Sequence, residues 1–136
     1  MMHGMGGIGK TTMAKEVARR AKEEKLVGKV VMAVVTQNPR VIKIQGEIAD
    51  MLGLSLTMES TTGRAGQLSN RMKSITKILI ILDDIWDRLD LDVVGIPYRS
   101  EHPGCSILLT SRNIEACSQM RSQRNFTIEV LIDGEA

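Results

Sequence analysis

Hydrophobic and polar residues follow one another in blocks that predict strands and helices in alternation. Four runs are apolar or rich in β-branched residues and have the length of a strand. They read "KVVMAVVTQNP" (29–39), "KILIILDDIW" (77–86), "CSILLTSR" (105–112) and "NFTIEVL" (125–131). Continuous apolar runs are typical of strands in a parallel sheet, because both faces of such a sheet are covered. We therefore predict four strands that are largely buried.

Three other segments repeat apolar residues every three or four positions, which predicts helices at 11–25, 41–53 and 64–75. In the first helix, Met13, Val17 and Ala21 form the apolar stripe. A short helix is predicted at 114–120, between the last two strands. Residues 55–63 are rich in Ser, Thr and Gly, which is typical of a loop.

Strands that alternate with helices predict right-handed crossovers and a mostly parallel sheet, and hence the α/β class. The 136 residues suffice for a domain with a real core. No internal repeat or low-complexity tract divides the chain. We therefore treat residues 1–136 as a single domain unit.

Composition narrows the function classes only slightly. The net charge is +2, from 18 basic and 16 acidic residues that are mixed along the chain, so no basic stripe suggests a nucleic-acid partner. Trp86, Tyr98 and Phe126 are the only aromatic residues, too few for a base-stacking surface. The apolar runs are too short to span a membrane. Cys105 and Cys117 are expected to be reduced thiols in a cytoplasmic protein.

The N-terminal segment carries the first candidate chemistry. Gly4-Met5-Gly6-Gly7-Ile8-Gly9-Lys10-Thr11 fits the phosphate-binding pattern G-x-x-x-x-G-K-[ST]. Glycines let the backbone approach phosphate oxygens, and the following helix N-terminus adds N–H donors. Lys10 would reach the β and γ phosphates, and the Thr11 hydroxyl would ligate Mg²⁺. The alternative is a chance match in a glycine-rich terminus.

Two carboxylates follow the most apolar strand. "ILIILDD" ends in Asp83 and Asp84, the arrangement called Walker B. The carboxyl ends of parallel strands face the crevice where ligands bind. Asp83 fits as the carboxylate on the Mg²⁺ side, and Asp84 could orient or deprotonate the attacking water. Alternatively, both acids merely end the strand and cap the segment after it.

The next strand also ends in polar residues, Thr110, Ser111 and Arg112. Its position predicts contact with the γ-phosphate, for which the planar donor fork of arginine is well suited. A solvated loop arginine is the alternative. The guanine-reading motifs N-K-x-D and T-K-x-D are absent, which favours adenine. The order of phosphate loop, paired acids and polar strand end makes a chance match improbable.

Several of these motifs together resemble the NB-ARC domain of plant nucleotide-binding leucine-rich-repeat disease-resistance proteins. They are "GMGGIGKTT", "ILDDIW" and "GCSILLTSR". The segment 30–54 and Trp86 are similar to the coiled-coil subclass. The resemblance implies a P-loop NTPase fold, a three-layer αβα sandwich, and a switch in which ADP holds the receptor off and ATP permits signalling.

By the same resemblance, the nucleotide-binding residues are Gly4, Met5, Gly6, Gly7, Ile8, Gly9, Lys10, Thr11 and Thr12. Thr11 and Asp83 would serve Mg²⁺, Asp84 would assist slow ATP hydrolysis, and Arg112 would sense the γ-phosphate. The implied partners are adenine nucleotide, the receptor's own leucine-rich-repeat and coiled-coil domains, and other copies upon activation. The implied location is the cytoplasm.

The chain departs from the family pattern in one respect that concerns stability. The family's first strand should precede Gly4 and is missing, as are the helical domains, so the chain resembles a fragment. By analogy the missing strand lies between the "CSILLT" and "NFTIEV" strands, and its loss predicts a gap of roughly 10 Å. The chain is then not expected to be a stable monomer.

Two other function classes stay open at this point. One is a turnover ATPase that couples hydrolysis to work, which needs the same Walker residues. The other is a non-catalytic fragment or interaction module in which the phosphate loop is vestigial. Steady-state turnover and the bound-nucleotide content of the purified protein would separate these classes from the switch.

Overall fold

A computed structural model describes residues 6–35, 40–111, 113–123 and 125–132. Five helices and four strands alternate along this part of the chain. In order they are α1 (Gly6–Glu23), β1 (Lys29–Val34), α2 (Val41–Leu52), α3 (Thr61–Lys73), β2 (Ile78–Ile85), α4 (Leu91–Val94), β3 (Cys105–Ser111), α5 (Ile114–Arg121) and β4 (Thr127–Ile132).

The strands form one parallel sheet in the order β1-β2-β3-β4. The α/β class and the parallel sheet are confirmed. β2 and β3 are the inner strands, and nearly all their residues are buried, as the apolar runs predicted. Since their carboxyl ends lie side by side, the polar residues that end the two strands share one edge of the sheet.

Helices cover both faces, which makes the three-layer sandwich. Strand residues alternate between the two faces, so each face has its own apolar cluster. The larger cluster lies under α2, α3, α4 and α5, and its fully buried side chains include Ile44, Ile48, Leu68, Met72, Ile80, Leu82, Ile107 and Leu109. This cluster forms the main core of the domain.

The opposite face is covered by α1 through small residues. Ala14 and Ala21 pack there against Ile81 of β2 and Leu108 of β3. Met13 and Val17, from the predicted stripe, are 55% and 42% exposed, so the prediction is wrong for these two residues. Alanine lets a helix lie close to the sheet, and the neighbouring larger side chains then turn toward solvent.

Helix boundaries follow local capping. α3 begins at Thr61 rather than at residue 64, because the Ser60 hydroxyl accepts a hydrogen bond from the Gly63 N–H at 3.0 Å. α2 ends where predicted, at Gly53, which adopts the left-handed conformation with a φ of 67°. The short helix α4 was not predicted, since a single turn has no measurable periodicity.

The last two strands correct the predicted gap. β3 pairs directly with β4, from Ser106 opposite Thr127 to Ser111 opposite Ile132. The expected space of two strand spacings between them is therefore wrong. Direct pairing satisfies the backbone N–H and C=O groups that a gap would expose on both strands. The monomer was predicted to be unstable because of this gap, so the reason for that prediction no longer holds.

Two side chains of α2 cover the outer edge of β1. The Met51 sulfur accepts a hydrogen bond from the Met32 N–H at 3.2 Å, and Glu47 Oε1 accepts one from the Val34 N–H at 3.0 Å. Met32 and Val34 are two positions apart, so their N–H groups point to the same side of the strand, away from β2. One turn of α2 therefore serves both donors.

Both cysteines are buried free thiols, as expected. Burial raises the pKa of the Cys105 thiol to about 12, because the thiolate would lose its hydration. At neutral pH this thiol is therefore protonated and unreactive.

Two glycines should respond oppositely to alanine substitution. Gly95 has a φ of 113°, and a Cβ there would lie 2.6 Å from the Ala65 carbonyl oxygen, so Gly95→Ala should lower the free energy of unfolding by at least about 1–3 kcal/mol. Gly46 lies inside α2, and a Cβ there would have no neighbour within 4 Å, so Gly46→Ala should raise it by about 0.5–1 kcal/mol. Urea denaturation measures both, and equal effects would contradict the backbone described at Gly95.

Candidate nucleotide-binding site

The predicted acidic pair lies in a β-bulge at the end of β2. Leu82 is opposite Leu109 and Ile85 is opposite Ser111, so Asp83 and Asp84 together face one residue of β3. Asp83 is 5% exposed, whereas Asp84 is half-buried. Asp84 also has a φ of 65°, the left-handed conformation that non-glycine residues rarely adopt. The backbone is therefore distorted at the acid predicted to be catalytic.

The residue opposite the bulge is Thr110, and it contacts both acids. Its hydroxyl donates a hydrogen bond to Asp83 Oδ1 at 2.5 Å and accepts one from the Asp84 N–H at 2.8 Å. Thr110 is 0% exposed, so these bonds are made away from bulk water. The sequence predicted a polar end to β3. It did not predict that Thr110 would bind both acids, because that depends on the register of the bulge.

Ser111, at the end of β3, and Asn113, just before α5, hold the chain that follows the acids. The Ser111 hydroxyl donates to the Ile85 carbonyl at 2.5 Å, and Asn113 Nδ2 donates to the Trp86 carbonyl at 2.9 Å. Asn113 also caps α5 by accepting from the Ala116 N–H at 3.1 Å. Sequence reasoning missed Asn113, although an asparagine directly before a helix is a recognised capping signal.

α1 brings its first turn toward the same edge. The turn after α1 leads to Gly28, directly before β1, and the Gly28 N–H donates to the Lys77 carbonyl at 2.8 Å, beside the start of β2. The 18 residues of α1 span about 27 Å, and the 8 residues of β2 span about 26 Å. Because α1 packs along β2 and β3 and ends at their amino ends, it begins near their carboxyl ends.

The glycine-rich segment is helical where a loop was predicted. Within the described residues α1 already includes Gly6, whereas the helix was predicted from residue 11, so the loop prediction is wrong for residues 6–10. In a helix the carbonyl groups of these glycines accept hydrogen bonds from N–H groups four positions further on, which replaces the open loop. The N–H groups of the first four helical residues still have no partner within the helix. Anion-binding donors in this segment are therefore those of a helix start.

Several predicted site residues lie wholly or partly outside the described part of the chain. Those outside it altogether are Gly4, Met5 and Arg112. Gly6, Gly7, Ile8, Gly9, Lys10 and Thr11 belong to α1 by their backbone, and their side chains lie outside the described part. Thr12 is exposed. The described geometry thus joins Asp83 and Asp84 through Thr110, and places the start of α1 toward the same edge.

The NB-ARC domain family matches residues 1–136, which is the whole chain. The chain belongs to the NB-ARC family. NB-ARC domains are nucleotide-binding domains, which agrees with the phosphate-binding pattern and the acidic strand end. The all-parallel sheet of four strands and the helices on both of its faces are consistent with this family's P-loop NTPase fold.

Two Arabidopsis thaliana proteins illustrate the relationship. Disease resistance protein SUMM2 is 32% identical over 99% of this chain, and disease resistance protein RFL1 is 35% identical over 99% of it. The chain spans only 15% and 16% of the lengths of these two proteins. The NB-ARC similarity therefore concerns one part of much longer relatives.

The residues of this NB-ARC domain suit a hard divalent cation. Mg²⁺ prefers oxygen ligands and typically takes one or two from the protein, with waters and phosphate oxygens completing the octahedron. Asp83 offers a buried carboxylate that Thr110 already orients. Within the described residues, no group of three or more His, Cys, Asp or Glu side chains could hold a metal alone. Waters and phosphate oxygens would complete the coordination of a cation that Asp83 binds.

Among the helices of this NB-ARC domain that fall within the described ranges, none combines the length and the apolar character needed to cross a bilayer.

The left-handed backbone at Asp84 gives a direct test of the bulge. Asp84→Gly should leave the free energy of unfolding within about 0.5 kcal/mol of the native value, because glycine tolerates positive φ but loses more chain entropy on folding. Asp84→Val should lower it by at least about 1–2 kcal/mol, because a β-branched residue is strained there. Chemical denaturation of both variants measures this, and similar stabilities would contradict the bulge.

Proposed function

We propose that this NB-ARC domain binds ADP and ATP with Mg²⁺ as the switch module of a plant disease-resistance receptor. The observation that carries the proposal is the shared edge of the sheet. The start of α1 supplies N–H donors for phosphate, and the bulge of β2 supplies the carboxylate of Asp83, held by Thr110, and that of Asp84, whose backbone N–H Thr110 binds. N–H groups that can bind phosphate and carboxylates that can bind a cation lie at one edge, and together they suit a magnesium nucleotide better than either group alone.

The phosphate-binding role falls to Gly4, Met5, Gly6, Gly7, Ile8, Gly9, Lys10, Thr11 and Thr12. Within this segment, the ammonium group of Lys10 neutralises the β and γ phosphates. Thr11 and Asp83 would hold Mg²⁺ through oxygen ligands, and the bound cation would neutralise phosphate charge. Two features support this magnesium site: both proposed ligands offer oxygen atoms, and Asp83 is buried.

Hydrolysis is assigned to a different set of residues. Asp84 orients the attacking water or accepts its proton, and Arg112 senses the γ-phosphate. The half-buried position of Asp84 supports this role, because the carboxylate keeps access to the edge of the sheet while its backbone is fixed. Turnover is slow, as suits a switch whose output depends on which nucleotide is held.

The partners follow from the receptor assignment. Adenine nucleotide is the proposed ligand, and the absence of the guanine-reading motifs from these 136 residues favours it. The receptor's leucine-rich-repeat and coiled-coil domains would hold the ADP form, and other copies would join the ATP form. The names of SUMM2 and RFL1, both disease resistance proteins, support this assignment, and the compartment proposed is the cytoplasm.

A second candidate, a non-catalytic interaction module, is favoured by one observation. α1 runs through residues 6–9, which in a working phosphate loop would wrap the ligand. Bound-nucleotide content of the purified chain separates the two candidates. A switch module should carry close to one ADP per chain, whereas an interaction module should carry none.

Lys10→Ala should remove most of the nucleotide affinity. The ammonium group is a point charge against a polyanion in a partly desolvated site, where electrostatic attraction exceeds that in water. Fluorescent ADP titration and ADP retention after desalting measure the loss. Lys15→Ala is the matched control, since Lys15 is an exposed lysine of the same helix. Unchanged ADP retention in the Lys10 variant would contradict the phosphate-binding role.

Asp84→Ala should separate hydrolysis from binding. In a protein extended to the length of its relatives, the variant should retain nucleotide and hydrolyse ATP about 10²–10⁴ times more slowly, the usual contribution of a general base or water-positioning group. Single-turnover phosphate release, measured beside Lys10→Ala, reports both properties. If both variants lose binding equally, Asp84 is a structural or metal-binding residue instead.

A further inference from the structure

The buried hydroxyl group of Thr110, at the end of β3, contacts the acidic residues at the end of β2. The bulge places Asp83 and Asp84 opposite a single residue, Thr110. The Thr110 hydroxyl donates to the carboxylate of Asp83 at 2.5 Å and accepts from the backbone of Asp84 at 2.8 Å. A hydroxyl has one hydrogen to donate and two lone pairs, so it serves both neighbours at once.

We propose that Thr110 is a positioning residue for the acidic pair, and that its hydroxyl rather than its bulk performs this role. It fixes the carboxylate of Asp83 toward the cation and holds the backbone of Asp84 in its left-handed conformation. The identity of the ligand, magnesium nucleotide, rests on the proposed function. The positioning itself rests on the hydrogen bonds and burial described above.

The strain at Asp84 explains why a hydroxyl is needed. A non-glycine residue with a φ of 65° persists only where its surroundings determine it strongly. The hydrogen bond from the Asp84 N–H to Thr110 supplies such a restraint. Without the hydroxyl, this N–H would lose an acceptor in a partly buried site, and the backbone would relax toward an ordinary conformation.

The restraint on Asp83 should be measurable through the cation. Groups that orient a ligating carboxylate typically change metal affinity by about 10–100-fold when they are removed. Thr110 has the position of such a group, because it binds one carboxylate oxygen of Asp83 and is itself fully buried. Its removal should therefore weaken binding that depends on Mg²⁺ and leave metal-free binding of nucleotide unchanged.

The test uses the 136-residue chain and three variants. Thr110→Val keeps the shape and removes the hydroxyl, and Thr110→Ser keeps the hydroxyl. Ile107→Ala, at a buried apolar position of the same strand, is the control for general destabilisation. ADP is titrated in MgCl₂ and again in EDTA, and the ratio of the two Kd values is the readout. Hydrogen exchange of the Asp84 amide is measured without nucleotide.

We expect Thr110→Val to reduce the Mg²⁺-dependent gain in ADP affinity about 10–100-fold, and Thr110→Ser and Ile107→Ala to keep it. The Asp84 amide should exchange about two- to tenfold faster in Thr110→Val and at nearly the native rate in Thr110→Ser. An unchanged gain in Thr110→Val, or an equal loss in Ile107→Ala, would overturn the positioning role.

The failure of the proposed function has a different signature. If the unaltered chain binds no ADP, the proposed function is contradicted, and the exchange comparison then decides the role of Thr110 without any ligand. Native exchange at Asp84 in Thr110→Val would in that case overturn the inference as well. Accelerated exchange that Thr110→Ser reverses would support it.

Discussion

The parallel pairing of β2 with β3 is the interaction on which both the core and the candidate site depend. Five consecutive residue pairs, from Ile78 with Cys105 to Leu82 with Leu109, align the apolar residues of the two inner strands over both helical layers. The same alignment fixes where the regular ladder ends, and beyond it two acidic residues oppose one threonine. The burial that stabilises the domain therefore also sets the position of its carboxylates, because a shift of register would move both together.

Much of this arrangement could be predicted from particular residues. The run Ile78 to Leu82 is long, β-branched and apolar, so a buried strand was its only reasonable interpretation. Acids placed directly after such a strand had to lie at the carboxyl edge of a parallel sheet. Ser60 and Asn113 are residue types that cap helices, but neither cap was predicted, and the structure shows each side chain accepting a backbone hydrogen bond at a helix start.

Other features depend on packing that periodicity does not encode. Met13 and Val17 repeat with the helical period as well as Ala14 and Ala21 do, and only the close approach of α1 to the sheet selects the alanines. In the helix at residues 6–9 and in the direct pairing of β3 with β4, backbone groups find hydrogen-bond partners within the chain. The sequence motifs predicted instead the phosphate loop and the strand order that are usual in the family. Thr110 can contact both Asp83 and Asp84 only because of the bulge, and no residue type in β2 predicts that bulge.

The cover that Glu47 and Met51 provide for β1 has a consequence for encounters between molecules. An incoming strand could lengthen the sheet at β1 only by displacing both side chains from the N–H groups of Met32 and Val34. The carboxylate would also have to leave a charge-assisted bond. The side chains of α2 thus protect this edge of the sheet against strand addition by other molecules, and they do so without altering the backbone of β1.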